Sequence, residues 1–400
     1  MEFDVVIVGG GIVGLATGYQ LQNLHPGLRI AVLEKEENTG LHQTSHNSGV
    51  IHSGIYYRPG SLKASNCREG YRELLSFCEQ HHVPFEICGK VIVATHSGEI
   101  PMMEEVYNRG RSNGLSGLRI LEREELADIE PHVRGERAIW VPQAGIIDFA
   151  QVATRLSELI VQRGGEIICQ FQVVGILSQN GTVSLISGEK VTIRSKWLIS
   201  CAGLYSDILT AMTHPDPGFR ILPFRGEYYT LKPNWEHLIR HLVYPVPDIR
   251  FPFLGIHFTR RIHGGVEAGP NAVLAFAREG YGREVDPGNM LELLRYRGFR
   301  RLALKHHRFG IQEFWRSWNK RKFVQAMQKL IPGITADDVQ RGRTGVRAQA
   351  CDPNGNLIED FYIREQERII HVCNAPSPAA TSCLSIGRSV AQRLIKKMEQ

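Results

Sequence analysis

The residues best placed to do chemistry come first in the chain. Gly9, Gly11 and Gly14 form G-x-G-x-x-G between an apolar run and a helix-compatible stretch. Gly9 permits a tight turn, Gly11 lets a pyrophosphate reach the backbone, and Gly14 lets the helix pack closely on the strand. The free amides and positive end of that helix stabilise phosphate charge. Glu34, 20 residues past Gly14, can accept both hydroxyls of an adenosine ribose and disfavours a 2′-phosphate. The chemistry is dinucleotide binding. A nicotinamide enzyme would continue its doubly wound unit at once. Here a polar, glycine-rich stretch follows, TGLHQTSHNSGVIHSGIYYRPGSLKASNC from Thr39, dense in Ser and His. It reads as a loop lying along a ligand, with Ser45, His46, Asn47, Ser48 and Gly49 as contacts, and favours a tightly held flavin, FAD.

The elements that must position these groups follow from periodicity. Residues 3–8 are an apolar, β-branched run, as in a buried parallel strand. A helix to about Leu24 and a strand over 29–33 complete the unit. Helices are predicted over 67–81, 99–113, 149–162 (N-capped by Asp148) and 385–398. KVIVA from Lys90, residues 119–121 and IIHVC read as strands, and 138–141 as a return toward the first domain. EIICQFQVVGIL, TVSLIS and GEKVTIRSKWLIS alternate as a β-meander ending at Cys201-Ala202-Gly203, where Gly203 allows another close backbone approach. Pro215, Pro217 and Pro223 mark a domain crossing. RGEYYTL and HLVYPV beyond it predict a separate, largely antiparallel sheet.

Charge narrows the function classes. The 400 residues carry +6, yet residues 295–329 hold 11 basic residues against the single acid Glu313, a net +10, leaving −4 on the other 365. So local a surplus argues against a nucleic-acid binder and leaves a basic face for a membrane, a protein or an anion. Ile311, Phe314, Trp315 and Trp318 fall on one helical face, with Phe323, Met327 and Leu330 mostly opposite, so one stripe can meet anionic headgroups while the other packs inward. No run of 18 apolar residues predicts a transmembrane span. Eight cysteines without a C-x-x-C point to a reducing compartment. G-x-S-x-G is absent, and the adjacent His306 and His307 diverge, so neither a serine hydrolase nor a metal site is expected.

Five longer motifs add a resemblance: HNSGVIHSGIYY from His46, PFRGEY from Pro223, GPNAVLAFAREGY from Gly269, RGRTGVRAQ from Arg341 and NAPSPAATSCLSIG from Asn374. With the glycine turn, they make the chain resemble FAD-dependent oxidoreductases of the D-amino-acid-oxidase type over essentially its full length. Within that superfamily it is most similar to the L-2-hydroxyglutarate dehydrogenases (oxidases). The resemblance implies an α/β fold. A Rossmann-like FAD-binding domain is assembled from discontinuous segments (1–88, 140–215 and 340–400). An antiparallel-sheet substrate domain with helices (89–139 and 216–339) lies over the flavin. It implies oxidation of the small dicarboxylate L-2-hydroxyglutarate to 2-oxoglutarate, with electrons passed to FAD and on to a quinone or another acceptor. An oxygen-using oxidase and an amino-acid oxidase are the neighbouring alternatives.

That reaction needs a base for the hydroxyl proton and cations for two carboxylates. His52 and His257 are the candidates for the base. Arg225, Arg343 and Arg347 offer the planar fork that matches a carboxylate. Tyr228 and Asn271 are further substrate contacts, and Pro378, Ala379, Ala380 and Thr381 bring the chain to a flavin edge. With the basic segment as a dock, the expected location is the cytoplasmic side, peripheral on the inner membrane.

Overall fold

The computed structural model describes residues 1–247 and 255–400, the side chain of Phe309 excepted. β1 (Glu2–Val8), α1 (Ile12–Leu24) and β2 (Ile30–Leu33) open the chain, with Val5 to Val8 buried as the apolar run requires. A short β3 (Val50–Ile51) leads to α2 (Leu62–His81), whose cap Ser61 accepts the Ala64 amide at 3.2 Å. Then come β4 (Phe85–Glu86), β5 (Lys90–Ala94), α3 (Ile100–Ser112) and β6 (Arg119–Glu122). Glu122 and Glu125 form a capping box on α4 (Arg123–Ile129), before β7 (Arg137–Val141) and β8 (Gly145–Ile147). Asp148 caps α5 (Phe149–Gln162) as its sequence predicts, accepting the Ala150 amide at 2.9 Å.

β9 (Glu166–Ile168), β10 (Val173–Gln179), β11 (Thr182–Ser187), β12 (Thr192–Ser200) and α6 (Ser206–Thr213) complete the first half. The long β13 (Arg220–Leu231) begins a run with β14 (Leu242–Pro245), β15 (His257–Arg260), β16 (Val266–Gly269) and β17 (Val273–Leu274). Three helices follow: α7 (Pro287–Arg295), α8 (Arg297–Trp318) and α9 (Lys320–Met327). β18 (Val339–Cys351), β19 (Tyr362–Glu365), β20 (Ile369–Asn374) and α10 (Cys383–Met398) close the described chain.

These elements make the two bodies the sequence leads one to expect. The first is a sheet ordered β10-β11-β12-β1-β2-β9, with β20 also on β12 and β19 on β20. Its centre is parallel: β1 pairs with both β12 and β2 in that sense, and β12 with β20. Strands from residues 2–8, 192–200 and 369–374 therefore lie side by side, which is a discontinuous Rossmann-like unit. The helices α1 and α10 pack so closely that a Cβ at Gly387 would come within 2.6 Å of the Ala16 carbonyl carbon. The second body is a sheet ordered β17-β13-β16-β15-β14-β5-β7-β6, with β18 on β13, antiparallel in every pairing except β14 with β5.

Three details differ from the sequence reading. EIICQFQVVGIL is not one arm of a meander. Gln170 adopts a left-handed φ of 56° and splits it, so that β9 pairs with β2 at the far edge while β10 joins β11. Residues 138–141 do not return to the first body, because β7 lies between β5 and β6 in the second sheet; β8 follows in a third, three-stranded sheet ordered β3-β8-β4. Residues 340–351 also belong with the second sheet, where β18 pairs with β13 from Arg220↔Cys351 to Leu231↔Val339.

The basic segment divides by burial. Phe323, Val324, Met327 and Leu330 are buried in the core of the second body, whereas Ile311, Phe314, Trp315 and Trp318 of α8 are exposed. Asn319 breaks the helix between the two sets, and its side chain accepts the Lys322 amide at 3.2 Å. Among the described residues no helix is long and apolar enough to cross a membrane.

Candidate active site

One cavity of about 990 Å³ runs between the two bodies, large even for a cofactor site. At one end lie Gly9, Gly11 and Glu34; at the other, His52, Tyr228, Tyr244, His257 and Arg347. The glycine turn is built by contact as well as by conformation. Gly9 has φ +109°, and a Cβ there would collide with the Cys201 carbonyl oxygen; a Cβ at Gly14 would collide with the carbonyl of Gly9. Gly11 differs: its φ is ordinary, and a Cβ would meet only Thr44 Oγ1, at 3.5 Å. Its missing side chain leaves space at the N-terminus of α1, where a pyrophosphate is stabilised. Glu34 fixes this turn while facing the cavity. Its Oε2 accepts the Gly10 amide at 2.9 Å and its Oε1 the Glu36 amide at 3.1 Å.

The polar loop and the C-terminal segment supply the rest of the cradle. His46, Asn47, Ser48 and Gly203 border the cavity, as do Pro378, Ala379, Ala380 and Thr381. Thr381 ties the two together, since its Oγ1 accepts the His52 amide at 3.1 Å. Asn374 Oδ1 is buried in this wall and has no partner among the described residues, an acceptor open to a ligand donor. Ser45 and Gly49 act behind the surface. Ser45 Oγ bonds His46 Nδ1 at 3.1 Å, and Gly49, at φ +67°, turns the chain into β3 with its amide on Asn47 Oδ1. Backbone open at Gly11, an acid at the end of β2 and an orphaned acceptor further along fit FAD, and these residues would hold it.

The substrate candidates separate clearly. Arg347 projects from β18 into the cavity wall, as does Tyr228 from β13. Arg225 and Asn271 instead hold each other's neighbour: Arg225 pairs with Glu227 at 3.1 Å, and Asn271 Nδ2 donates to Glu227 Oε2 at 2.9 Å. Arg343 pairs with the buried Glu267 at 2.9 Å and donates to the Ser45 and Asn47 carbonyl oxygens. Arg261 reaches the same Asn47 oxygen at 3.2 Å. Arg343 and Arg261 clamp the polar loop onto the second sheet, and none of Arg225, Asn271 and Arg343 borders the cavity.

Both histidines border it. His257 Nδ1 donates to the Gly255 carbonyl oxygen at 2.9 Å, which leaves Nε2 as an acceptor. Its ring stacks on Tyr244 at 3.9 Å. Burial, reinforced by the charges of Arg347 and Lys90 against the opposing Gly255 bond, pushes His257 down to about 3. Burial and the charges of Lys90, His257 and Arg347 likewise push His52 down to about 3. Both rings are neutral at physiological pH, the form a proton acceptor needs.

Sequence reasoning missed Thr44, whose Oγ1 accepts the Ile12 amide at 2.9 Å, and Tyr244 and Lys90 behind the histidines. A lysine in the otherwise apolar KVIVA was the visible signal for Lys90. Among the described residues one trio has metal-ligand character, Glu36, His42 and Glu279 within 4.8 Å of one another. Lys35 already pairs with both acids there.

Fold and cavity define a two-body FAD-dependent oxidoreductase acting on a CH–OH or CH–NH2 group. Residues 4–393 match the FAD dependent oxidoreductase family (DAO), and the chain belongs to it. The chain is 50% identical to an L-2-hydroxyglutarate dehydrogenase of Indibacter alkaliphilus over 99% of its own length and 100% of that protein. Against the human mitochondrial L-2-hydroxyglutarate dehydrogenase it is 44% identical, covering 100% of this chain and 90% of that one. Among solved structures, the reduced, FAD-bound L-α-glycerophosphate oxidase of Mycoplasma pneumoniae superposes with a TM-score of 0.81 at 23% identity, over 99% of this chain and 95% of that one.

Proposed function

We propose that the protein oxidises L-2-hydroxyglutarate to 2-oxoglutarate. The observation that carries this reading is a neutral His257, its Nδ1 committed to the Gly255 carbonyl and its Nε2 left as an acceptor, in the same cavity wall as Arg347 and Tyr228. His257 Nε2 takes the hydroxyl proton, with its tautomer fixed by the Gly255 carbonyl. Arg347 holds a carboxylate by its fork, and the Tyr228 phenol, which burial keeps un-ionised, donates beside it. His52 lies across the cavity near the Thr381 loop and orients the 2-hydroxyl. Bound flavin supplies the two-electron acceptor for the Cα–H bond. The enclosed wall keeps bulk water from these groups and strengthens each charge contact. The relatives named for this substrate support the same choice.

Anaerobic titration tests it. L-2-hydroxyglutarate should bleach the flavin, and neither the D-enantiomer nor L-amino acids should. Bleaching by an amino acid alone would overturn the substrate and favour the amino-acid oxidase alternative.

Electrons then pass to a quinone at the cytoplasmic face of the inner membrane, against which α8 docks peripherally. Supporting this, Trp315 and Trp318 are 65% and 58% exposed beside the +10 segment, and Arg283 lies 4.2 Å over the Trp318 ring. The holoenzyme should co-sediment with anionic but not neutral vesicles, and lose this with Trp315→Ser and Trp318→Ser together. Binding that ignores salt and lipid charge would refute the dock. An oxidase reading, with oxygen as acceptor, predicts steady turnover in air without added quinone.

A further inference from the structure

Lys90 opens β5 and is 1% exposed. Its Nζ lies 4.6 Å from the Tyr56 ring centroid and 4.8 Å from that of Tyr244, so two π faces hold the ammonium. Both tyrosines border the cavity, with the lysine behind them. The Tyr244 ring also stacks on His257, making lysine, tyrosine and histidine one pile ending at the cavity.

The titratable groups near it come from several elements, and the carboxylates Glu359 and Asp360 act on Lys63 beside the same cavity. His52 follows β3, Cys67 and Lys63 stand on α2, His257 on β15 and Arg347 on β18, and among the described residues no carboxylate pairs with Lys90. A buried cation without an anion is costly to a protein that gains nothing from it. An anionic ligand changes the balance. A carboxylate placed beside a neutral histidine favours the imidazolium, which can no longer accept a proton. A cation on the far side of the same ring opposes that change.

We propose that Lys90 is a positioning residue that keeps His257 in its proton-accepting form when a dicarboxylate fills the cavity, acting through the Tyr244 ring without touching the substrate. The inference rests on the 2-hydroxy-acid reading above. Burial, opposed by Cys67, lowers Lys90 to about 7, while His257 is held at about 3. As pH falls through neutrality the lysine therefore takes a proton before the histidine does.

The test is the pH dependence of flavin bleaching by L-2-hydroxyglutarate, followed anaerobically by stopped flow in the parent holoenzyme, Lys90→Met and Lys90→Arg. Thermal unfolding of each is measured in parallel. Losing the cation should move the acid limb of Lys90→Met upward by about one pH unit, while Lys90→Arg keeps the parent limb. If Lys90→Met does not retain flavin, Lys90→Gln carries the same neutral comparison. An unmoved limb in the neutral variant, even with lowered thermal stability, overturns the proposal, as does an equal shift in Lys90→Arg. A parent that L-2-hydroxyglutarate does not bleach overturns the substrate reading itself, and the inference with it.

Discussion

The two ends of the cavity are built by different means. The nucleotide end is mostly backbone: Gly9 and Gly14 exclude any Cβ, Gly11 leaves one open face, and Glu34 braces the turn from the next strand. All of it lies within residues 9–34. The substrate end is mostly side chain, with His52, Tyr228, Tyr244, His257 and Arg347 arriving from five separate places in the sequence. A shared cofactor can be gripped by one local device. A particular acid has to be met by groups that only the tertiary fold brings together.

Breaking the first end should have the largest effect. Gly9→Val forces a branched residue into φ +109° against the Cys201 carbonyl. The conformation alone costs about 1–3 kcal/mol, so the purified protein should be colourless at 450 nm and melt earlier. At the second end the flavin should survive. His257→Asn should leave the spectrum intact while the anaerobic reduction rate falls about 10²- to 10⁴-fold, the usual worth of a placed base. Full activity in that variant would shift the base to His52.

A pair of arginines sharpens the contrast. Arg347→Met removes a charge-assisted bond of about 1.5–3 kcal/mol, so KM for the dicarboxylate should rise about 10- to 100-fold. Arg343→Met should leave KM alone and lower stability by about 1 kcal/mol, since Glu267 still has Arg261 at 3.5 Å. A further effect concerns pH. His52 and His257 are neutral when folded but titrate near 6.5 when unfolded, so the unfolded chain binds the extra protons. Stability should therefore be fully present above about pH 6.5 and decline toward pH 3, by up to about 1.4 kcal/mol per pH unit for each histidine. Urea unfolding at pH 7 and pH 5.5 measures it, and His257→Asn should reduce the slope.

How far the sequence could be read follows the same division. Glycine spacing, the acid at position 34 and the cap at Asp148 express local geometry, so the nucleotide unit and most helices were legible. The split at Gln170 was not, because one residue in the left-handed region outweighs an unbroken run of β-formers. Of three candidate arginines only Arg347 reaches the cavity wall. Arg225 and Arg343 sit in equally suggestive motifs, but their side chains pair with Glu227 and Glu267 outside the cavity lining, which spacing cannot reveal. Lys90 and Tyr244 escaped for a related reason: both lie in strands whose other residues read as core. The periodicity of one continuous helix anticipated which stripe is exposed and which is buried, but not the break at Asn319 that puts Trp315 on α8 and Phe323 on α9.

The contact of Gly387 with Ala16 has a further consequence, for the order in which the molecule can be made. The second strand of the nucleotide unit is followed by more than 150 residues before β12 arrives beside β1, and β20 and α10 come later still. On the ribosome, then, the glycine turn emerges well before β12, β20 and α10, the elements that enclose it. Until residue 387 has been synthesised, one face of α1 has no partner and stays exposed to misassociation. Chaperone dependence, and damage from loss of α10, should therefore fall on the glycine turn and α1.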